Sequence, residues 1–268
     1  MRVERPVVRY HGGKWRLAPW IISNMPTHRI YVEPFGGGAS VLLRKARTPI
    51  EVYNDADGDM VNLMMVVRDH GLELKRRIEL TPYARQEYET LYEESKDPIE
   101  RARMLIARSI LGFGTRSAHR NTGFRSVSFS GSVTGEWVSY PKKLAAIIDR
   151  LRGVVIECKD AIPLMESHDS PETLHYVDPP YVHATRAKGM VGNYNYEMTE
   201  QEHIKLIAFL RTLKGKVLLS GYDHPIYNDG LLDWHIVKKS TFAECARPRV
   251  ETLWLNPHAV ERGLFANG

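Results

Sequence analysis

Ile30-Tyr31-Val32-Glu33-Pro34-Phe35-Gly36-Gly37-Gly38-Ala39-Ser40-Val41 is the stretch on which the fold turns. Ile30, Tyr31 and Val32 make a short apolar run of β-branched and aromatic residues, as in a strand buried on both faces. Pro34 stops the run, and three consecutive glycines then permit backbone paths that other residues resist. The pattern predicts a strand, a glycine turn and a helix opening behind it, which lets the backbone approach a ligand at a helix amino terminus. Such turns also serve plain chain geometry, so this one alone assigns nothing. It is not the dinucleotide pattern G-x-G-x-x-G, whose third glycine falls on Val41 here. That argues against a pyrophosphate ligand.

Working outward, Leu17, Trp20 and Ile21 lie at helical spacing before the strand, and Ile50-Glu51-Val52-Tyr53 reads as a second strand after it. Asn54-Asp55-Ala56-Asp57 follows. An acidic residue at the tip of the second strand suits ribose hydroxyls, a role that falls to Asp55, while Asp57 caps a helix carrying Met60, Val61, Met64 and Val67. Ribose without pyrophosphate points to an adenosyl ligand such as S-adenosylmethionine. Further strands are expected at Val154 to Glu157, Leu174 to Val177, Lys216 to Ser220, Trp234 to Lys238 and Glu251 to Leu255. Thr199 and Glu202 have capping-box spacing ahead of a helix through Leu213. Strands alternating with helices imply an α/β fold with a mainly parallel sheet covered on both faces. The middle differs, with helical patterns at 84–95, at 99–111 and from Pro141 onward. The expected organisation is therefore an α/β domain of residues 1–70 and 150–268, interrupted by a mostly helical insertion of residues 71–149.

Tyr176-Val177-Asp178-Pro179-Pro180-Tyr181 closes one of these strands. Open α/β sheets bind ligands at the carboxyl ends of their strands. Two prolines stiffen the turn and remove two donors, leaving acceptors. An amino group on a base has two hydrogens to give. The Asp178 carboxylate and the Pro179 carbonyl can take one each, which frees the nitrogen lone pair for a methyl donor, and Tyr181 offers a flat face for the base. A bare Asp-Pro-Pro would read as a stiffened turn with a helix cap. The tyrosine, the strand before it and the glycine turn upstream favour the chemical reading.

The chain has 268 residues, 43% hydrophobic and 26% charged, a size for one core with an inserted module. No stretch approaches the roughly 20 apolar residues that span a bilayer, and the first residues lack the apolar run of a secretory signal. Two cysteines and histidines without ligand spacing predict no metal; a cytoplasmic monomer is the default expectation. Net charge is +5, yet Arg101 to Gly135 alone holds six arginines and no acidic residue. A basic stretch of that density suggests a polyanion surface, although a solvated arginine-rich helix and loop reads equally well. Arg116, Arg120 and Arg125, in a Gly/Ser-rich loop or hairpin, are the candidates for contacts to double-stranded DNA; Lys142 and Lys143 are candidates for phosphate contacts only. The segment His183 to Tyr196 could close over a flipped base, with Tyr194 or Tyr196 as a second stacking surface.

Taken together, Arg9-Tyr10-His11-Gly12-Gly13-Lys14, Glu33-Pro34-Phe35-Gly36-Gly37-Gly38, Asn54-Asp55, Asp178-Pro179-Pro180-Tyr181 and Thr252-Leu253-Trp254-Leu255-Asn256-Pro257 resemble the Dam-type DNA adenine methyltransferases, in the same order along the chain. The resemblance implies a Rossmann-like class I methyltransferase sheet, mainly parallel with one antiparallel strand, and an inserted DNA-recognition domain. It further implies that Tyr10, Gly13 and Lys14 lie by S-adenosylmethionine, that Phe35, Gly36 and Gly38 line its pocket, and that Asp55 binds its ribose. Asp178 would serve catalysis and touch the methionine end. Asp160, after the third strand, is a contact for the cofactor adenine or a helix cap. Tyr10 stands where many relatives carry tryptophan, and His11 where a small residue or proline is common. A cytosine in DNA, an adenine in RNA or a protein glutamine would need nearly the same chemistry at Asp178. A non-catalytic DNA binder of the same fold is the rival of another class. The basic insertion favours nucleic acid, and intact Lys14, Asp55, Asp178 and Tyr181 favour catalysis.

Overall fold

A computed structural model describes residues 3–126, 132–182, 197–242 and 248–260. Its strands are β1 (Ile30–Glu33), β2 (Ile50–Asn54), β3 (Val155–Glu157), β4 (Thr173–Val177), β5 (Lys216–Tyr222), β6 (His235–Phe242) and β7 (Pro248–Leu255). They form one sheet in the order β3-β2-β1-β4-β5-β7-β6. β1 pairs in parallel with β2 and with β4, and β4 in parallel with β5. β7 runs against both of its neighbours, β5 and β6, and is the antiparallel strand the sequence led us to expect. From β1 the chain winds outward to β2, then returns to β4 on the other side of β1. The strand order therefore reverses between β1 and β4, and the carboxyl ends of that pair are where an open α/β sheet takes its ligand.

The helices are α1 (Ala18–Ser23), α2 (Gly58–Asp69), α3 (Gly71–Leu80), α4 (Arg85–Thr90), α5 (Pro98–Leu111), α6 (Val133–Leu151), α7 (Ala161–Ser167), α8 (Glu200–Leu210) and α9 (Pro225–Gly230). Two caps form as the sequence implies. The Asp57 carboxylate accepts from the Asp59 amide at the start of α2, and Thr199 and Glu202 make a reciprocal capping box on α8.

Three expectations change. No regular helix opens behind the glycine run; residues 37–45 form successive turns, with Leu43 N donating to Ala39 O at 2.9 Å. Gly37 (φ 46°) and Ala39 (φ 52°) lie in the left-handed region, where a right-handed helix cannot start. The glycine turn thus leads into a single helical turn, not into a regular helix. α6 begins at Val133, not Pro141, because Ser132 caps it by accepting from Gly135 N. Pro141 is tolerated inside that helix, where the turn before it is anchored twice: Trp137 Nε1 donates to Thr81 O at 2.9 Å, and Tyr140 Oη donates to Val7 O at 2.6 Å. Finally, α3 forms where only charged, weakly patterned sequence was visible, and the pattern at 84–95 yields only the six residues of α4.

The chain packs as two compact units. One comprises Met1–Pro19, Gly37–Lys45 and Asp57–Cys158; the other comprises Trp20–Gly36, Ala46–Ala56 and Lys159–Gly268. In the first, α2, α3, α5 and α6 pack on one another, and Gly71 sits so close to Ile148 that a Cβ there would fall 2.5 Å from it. In the second, Val177, Leu206, Leu210, Leu219, Tyr227 and Trp254 form the main core, while Val32, Val52 and Leu164 form another cluster. Among the described residues no helix is long and apolar enough to cross a membrane.

His175, on β4, has no exposed surface. Burial lowers its pKa from 6.5 to about 4, against the opposing pull of Asp169, whose Oδ1 lies 3.6 Å from Nε2. The fold holds the neutral ring, so between those two values the unfolded chain binds the extra proton. Stability is full above 6.5 and falls as pH drops toward 4, by about 3 kcal/mol for a shift of this size. Urea unfolding at pH of about 7 and about 4.5 should show the decline, and His175→Gln should reduce it. Equal slopes in the two proteins would remove His175 as its source.

Candidate active site

Asp178 follows directly on Val177, the last residue of β4, a strand buried along its whole length. Strand and turn are built from different chemistry: Leu174, Tyr176 and Val177 suit a strand covered on both faces, with Thr173 and His175 buried beside them, and the two prolines end the ladder where it must end. Asp178 is half-buried and Pro179 buried. Tyr181 is 8% exposed, and its hydroxyl donates to Glu251 Oε2 at 2.9 Å and lies 3.4 Å from Ser220 Oγ. Its ring stands edge-on to Tyr222, with centroids 4.5 Å apart and planes at 73°. Burial, together with the charges of Asp178 and Glu251, pushes the Tyr181 hydroxyl well above its usual pKa, so it stays protonated.

The neighbouring strand ends in the same unit are fastened by Asn54. Its Nδ2 donates to Pro34 O and to Lys159 O, both at 2.9 Å, and its Oδ1 accepts from Lys159 N at 2.9 Å. Gly36 N donates to Asn54 O at 2.7 Å. One wholly buried amide therefore joins the ends of β1 and β2 to the residue before Asp160. Asp55, next in sequence, is half-buried, and Phe35 packs partly into the main core. Gly36 is required by its own surroundings, since a Cβ would fall 2.2 Å from the Tyr53 ring and 2.9 Å from Asn54 O. Asp160 is exposed and occupies the amino-terminal cap position of α7, yet its side chain makes no capping bond.

The remaining expected cofactor residues belong to the first unit. Gly13 N donates to Tyr10 O at 3.1 Å, and buried Lys14 donates its Nζ to Gly12 O at 2.9 Å. The Tyr10 ring lies edge-on to His119 at 5.5 Å, and Gly37 and Gly38 are small because Tyr10 lies against them. His119 comes from the basic stretch, so lead-in and basic loop meet at this ring pair.

That loop is closed at its base. Arg125 N donates to Leu111 O at 2.7 Å, Gly112 bridges Phe124, and Tyr92 Oη donates to Ser117 O and Arg120 O, both at 2.9 Å. Arg116 lies half-buried in a 3-10 turn (Thr115–Ala118) and Arg120 is exposed beside it. Arg125 is otherwise engaged: it donates to Glu136 Oε2 at 3.0 Å, and Arg5 and Arg9 join it on the same carboxylate. Burial notwithstanding, Arg9, Arg125 and Arg5 hold Glu136 below its usual range. Arg101 pairs with Asp59, and Arg103 with Glu87 and Glu100. Three of the six arginines in the stretch, Arg101, Arg103 and Arg125, are thus paired with carboxylates. Lys142 is exposed on α6, and Lys143 half-buried. Segment 183–196, with Tyr194 and Tyr196, lies outside the described residues. No group of three or more His, Cys, Asp or Glu among the described residues could hold a metal ion.

Asn54 as a fastener and Glu251 as the partner of Tyr181 are missing from the sequence reading. Asn54 stands out in the sequence only beside Asp55, and Glu251 lies 70 residues from the tyrosine it holds.

A mainly parallel sheet with an Asp-Pro-Pro-Tyr turn at its reversal point is the arrangement of a class I methyltransferase acting on an amino nitrogen. Residues 10–244 match the family model of the D12 class N6 adenine-specific DNA methyltransferases. The chain is also 24% identical over 251 residues to the DNA adenine methylases of Salmonella typhi and Salmonella typhimurium, covering 89% of its own length and 88% of theirs. The chain belongs to the D12 class of N6 adenine-specific DNA methyltransferases, and it methylates adenine in DNA.

Proposed function

We propose that the enzyme transfers the methyl group of S-adenosylmethionine to the N6 amino group of an adenine flipped out of duplex DNA, with Asp178-Pro179-Pro180-Tyr181 as its catalytic turn. The observation that carries this reading is the placement of Asp178 immediately past β4, at the point where strand order reverses, in a turn whose prolines leave only acceptors. The cofactor supplies an electrophilic methyl group on a sulfonium. The Asp178 carboxylate accepts one amino hydrogen and the Pro179 carbonyl the other, turning the nitrogen lone pair out of ring conjugation. No strong base is required, because the amino proton becomes acidic only once the new bond has formed; positioning and electrostatics supply the acceleration. A base within a duplex cannot reach such a turn, hence the flipping step.

In the sheet unit Phe35, Gly36, Asp55 and Asp178 are the residues assigned to the cofactor. Their chemistry fits it: Asp55 is an acidic acceptor for ribose hydroxyls at the end of β2, held there by the Asn54 fastening. Asp160, exposed and without a capping bond, is the acceptor nearest in sequence to that fastening. In the first unit, the segment 71–149 is assigned to DNA recognition. Arg116 and Arg120, on the loop closed by Tyr92, are its leading contacts, with Lys142 on the phosphates and Arg125 available only by leaving Glu136. Tyr10, Gly13, Lys14 and Gly38 are the lead-in by which the Dam-type resemblance implies cofactor contact. A cytoplasmic monomer remains the simplest form for such an enzyme.

Two measurements test the reading. Incubation with S-adenosylmethionine and unmethylated duplex DNA, followed by nucleoside mass spectrometry, should yield N6-methyladenine and no methylated cytosine. Calorimetric titration with S-adenosylhomocysteine should show Asp55→Ala binding roughly 10- to 100-fold more weakly, the loss expected for hydrogen bonds to a charged group. Unchanged affinity would remove Asp55 from the cofactor site.

A further inference from the structure

The sheet register brings a carboxylate to the far side of the catalytic tyrosine. Tyr222 on β5 lies opposite Glu251 on β7, and Ser220, two residues earlier, is on the same face of β5. All three converge on one ring. Glu251 takes the Tyr181 hydroxyl at 2.9 Å, Ser220 stands 3.4 Å from it, and Tyr222 meets the ring edge-on. Glu251 is only 6% exposed and lies on a strand interior, where a carboxylate costs free energy unless it is hydrogen-bonded. Generic sheet stability does not call for an acidic residue at that place; holding a phenol at one angle does, because bonds to an ionised acceptor are the stronger and more directional kind.

We infer that Glu251 is a positioning residue for methyl transfer, fixing through Tyr181 the angle of the aromatic surface that meets the target adenine. This rests on the reading above that Tyr181 stacks on the base. With 8% of its surface exposed, Tyr181 offers the base one narrow part of its ring, so a small rotation about the ring axis changes what the base meets. Glu251 touches neither base nor cofactor in this role. It acts by holding the tip of the ring and so its tilt, while Tyr222, edge-on to the ring, and Ser220 limit its rotation and lateral shift.

The test is a double-mutant cycle on the full chain, using Glu251→Met, which keeps length and removes the acceptor, Tyr181→Phe, and the pair. Tritiated S-adenosylmethionine and unmethylated duplex DNA report kcat and both KM values, and thermal unfolding reports stability. Glu251→Met should lower kcat by about tenfold, the loss of one oriented hydrogen bond, and leave the KM for S-adenosylmethionine within about twofold. Tyr181→Phe should cost a similar factor, and the double variant should be no slower than the slower single one. Glu251→Gln, which retains an oxygen acceptor, should recover part of the rate. It also carries the cycle if the methionine variant fails to fold. Single effects that multiply in the double variant, or an unchanged kcat in a folded Glu251→Met, overturn the inference. Absence of methylation by the unmodified protein would instead strike the functional reading itself.

Discussion

Asp178→Ala is expected to lower kcat for N6-methyladenine formation by about 10²- to 10³-fold while leaving the fold intact. A preorganised group aimed at charge developing in the transition state is worth this much when removed. Asp178 is half-buried at a strand end, and no cavity in the main core follows from its loss. The mechanism also predicts an order among variants. Asp178→Asn keeps a carbonyl oxygen that accepts one amino hydrogen, so it should retain more activity than alanine, but it lacks the negative charge that stabilises the nitrogen as it becomes cationic. Rates must be taken at saturating S-adenosylmethionine, because the same carboxylate is assigned to the methionine end of the cofactor. Nucleoside mass spectrometry over a long incubation separates a slow enzyme from a dead one. An alanine variant within tenfold of the unmodified rate would mean that the Pro179 carbonyl and the tyrosine suffice, and the catalytic role given to Asp178 would be withdrawn.

Gly36→Ala should have the second large effect, and its cause is packing rather than chemistry. The new methyl would stand 2.2 Å from one ring atom of Tyr53 and 2.5 Å from another, with Asn54 O at 2.9 Å. Tyr53 is fully buried and cannot swing away, and Asn54 O is backbone that already accepts the Gly36 amide. Something in the Asn54 fastening must move. Overpacking of this kind costs about 1 to 3 kcal/mol, visible in urea unfolding. Because the fastening sets where Asp55 stands, affinity for S-adenosylhomocysteine should fall with it. Tyr53→Ala opens the space the methyl needs, so the double variant should be more stable than the two separate losses would allow. Additive losses would mean that the clash is relieved elsewhere.

The strands were legible because their burial is two-sided. β1 and the middle of β5 are apolar runs, β2 and β4 are mostly apolar around buried Glu51 and His175, and the single antiparallel strand followed from the family resemblance. Capping residues, being local, were also legible, as at Asp57 and Thr199. What escaped was whatever depended on partners distant in the chain. Pro141 looked like a helix start because nothing nearby announces that Trp137 and Tyr140 are held by Thr81 and Val7. The helix after the glycines failed on the backbone conformation of Ala39, a residue with no sequence preference for a positive φ. Arginines of the basic stretch can be counted along the chain, but the pairing of Arg125, Arg101 and Arg103 with Glu136, Asp59 and Glu87 exists only in space. The motif chemistry that singles out Asp178, Tyr181 and Asp55 is local in sequence, whereas the Asn54 bonds to Pro34 and Lys159 and the Glu251 bond to Tyr181 join distant residues.

The position of β7 has a consequence for how the enzyme comes into being. β6 is synthesised before β7, yet β7 is the strand with which it pairs. A nascent chain emerges amino terminus first and folds as it goes, so β1, β2, β4 and β5 can assemble while β6 still lacks its neighbour. Tyr181 is then already present, but the carboxylate that takes its hydroxyl arrives 70 residues later. Tyr181 therefore gains its Glu251 partner only once the last strand of the sheet has been made.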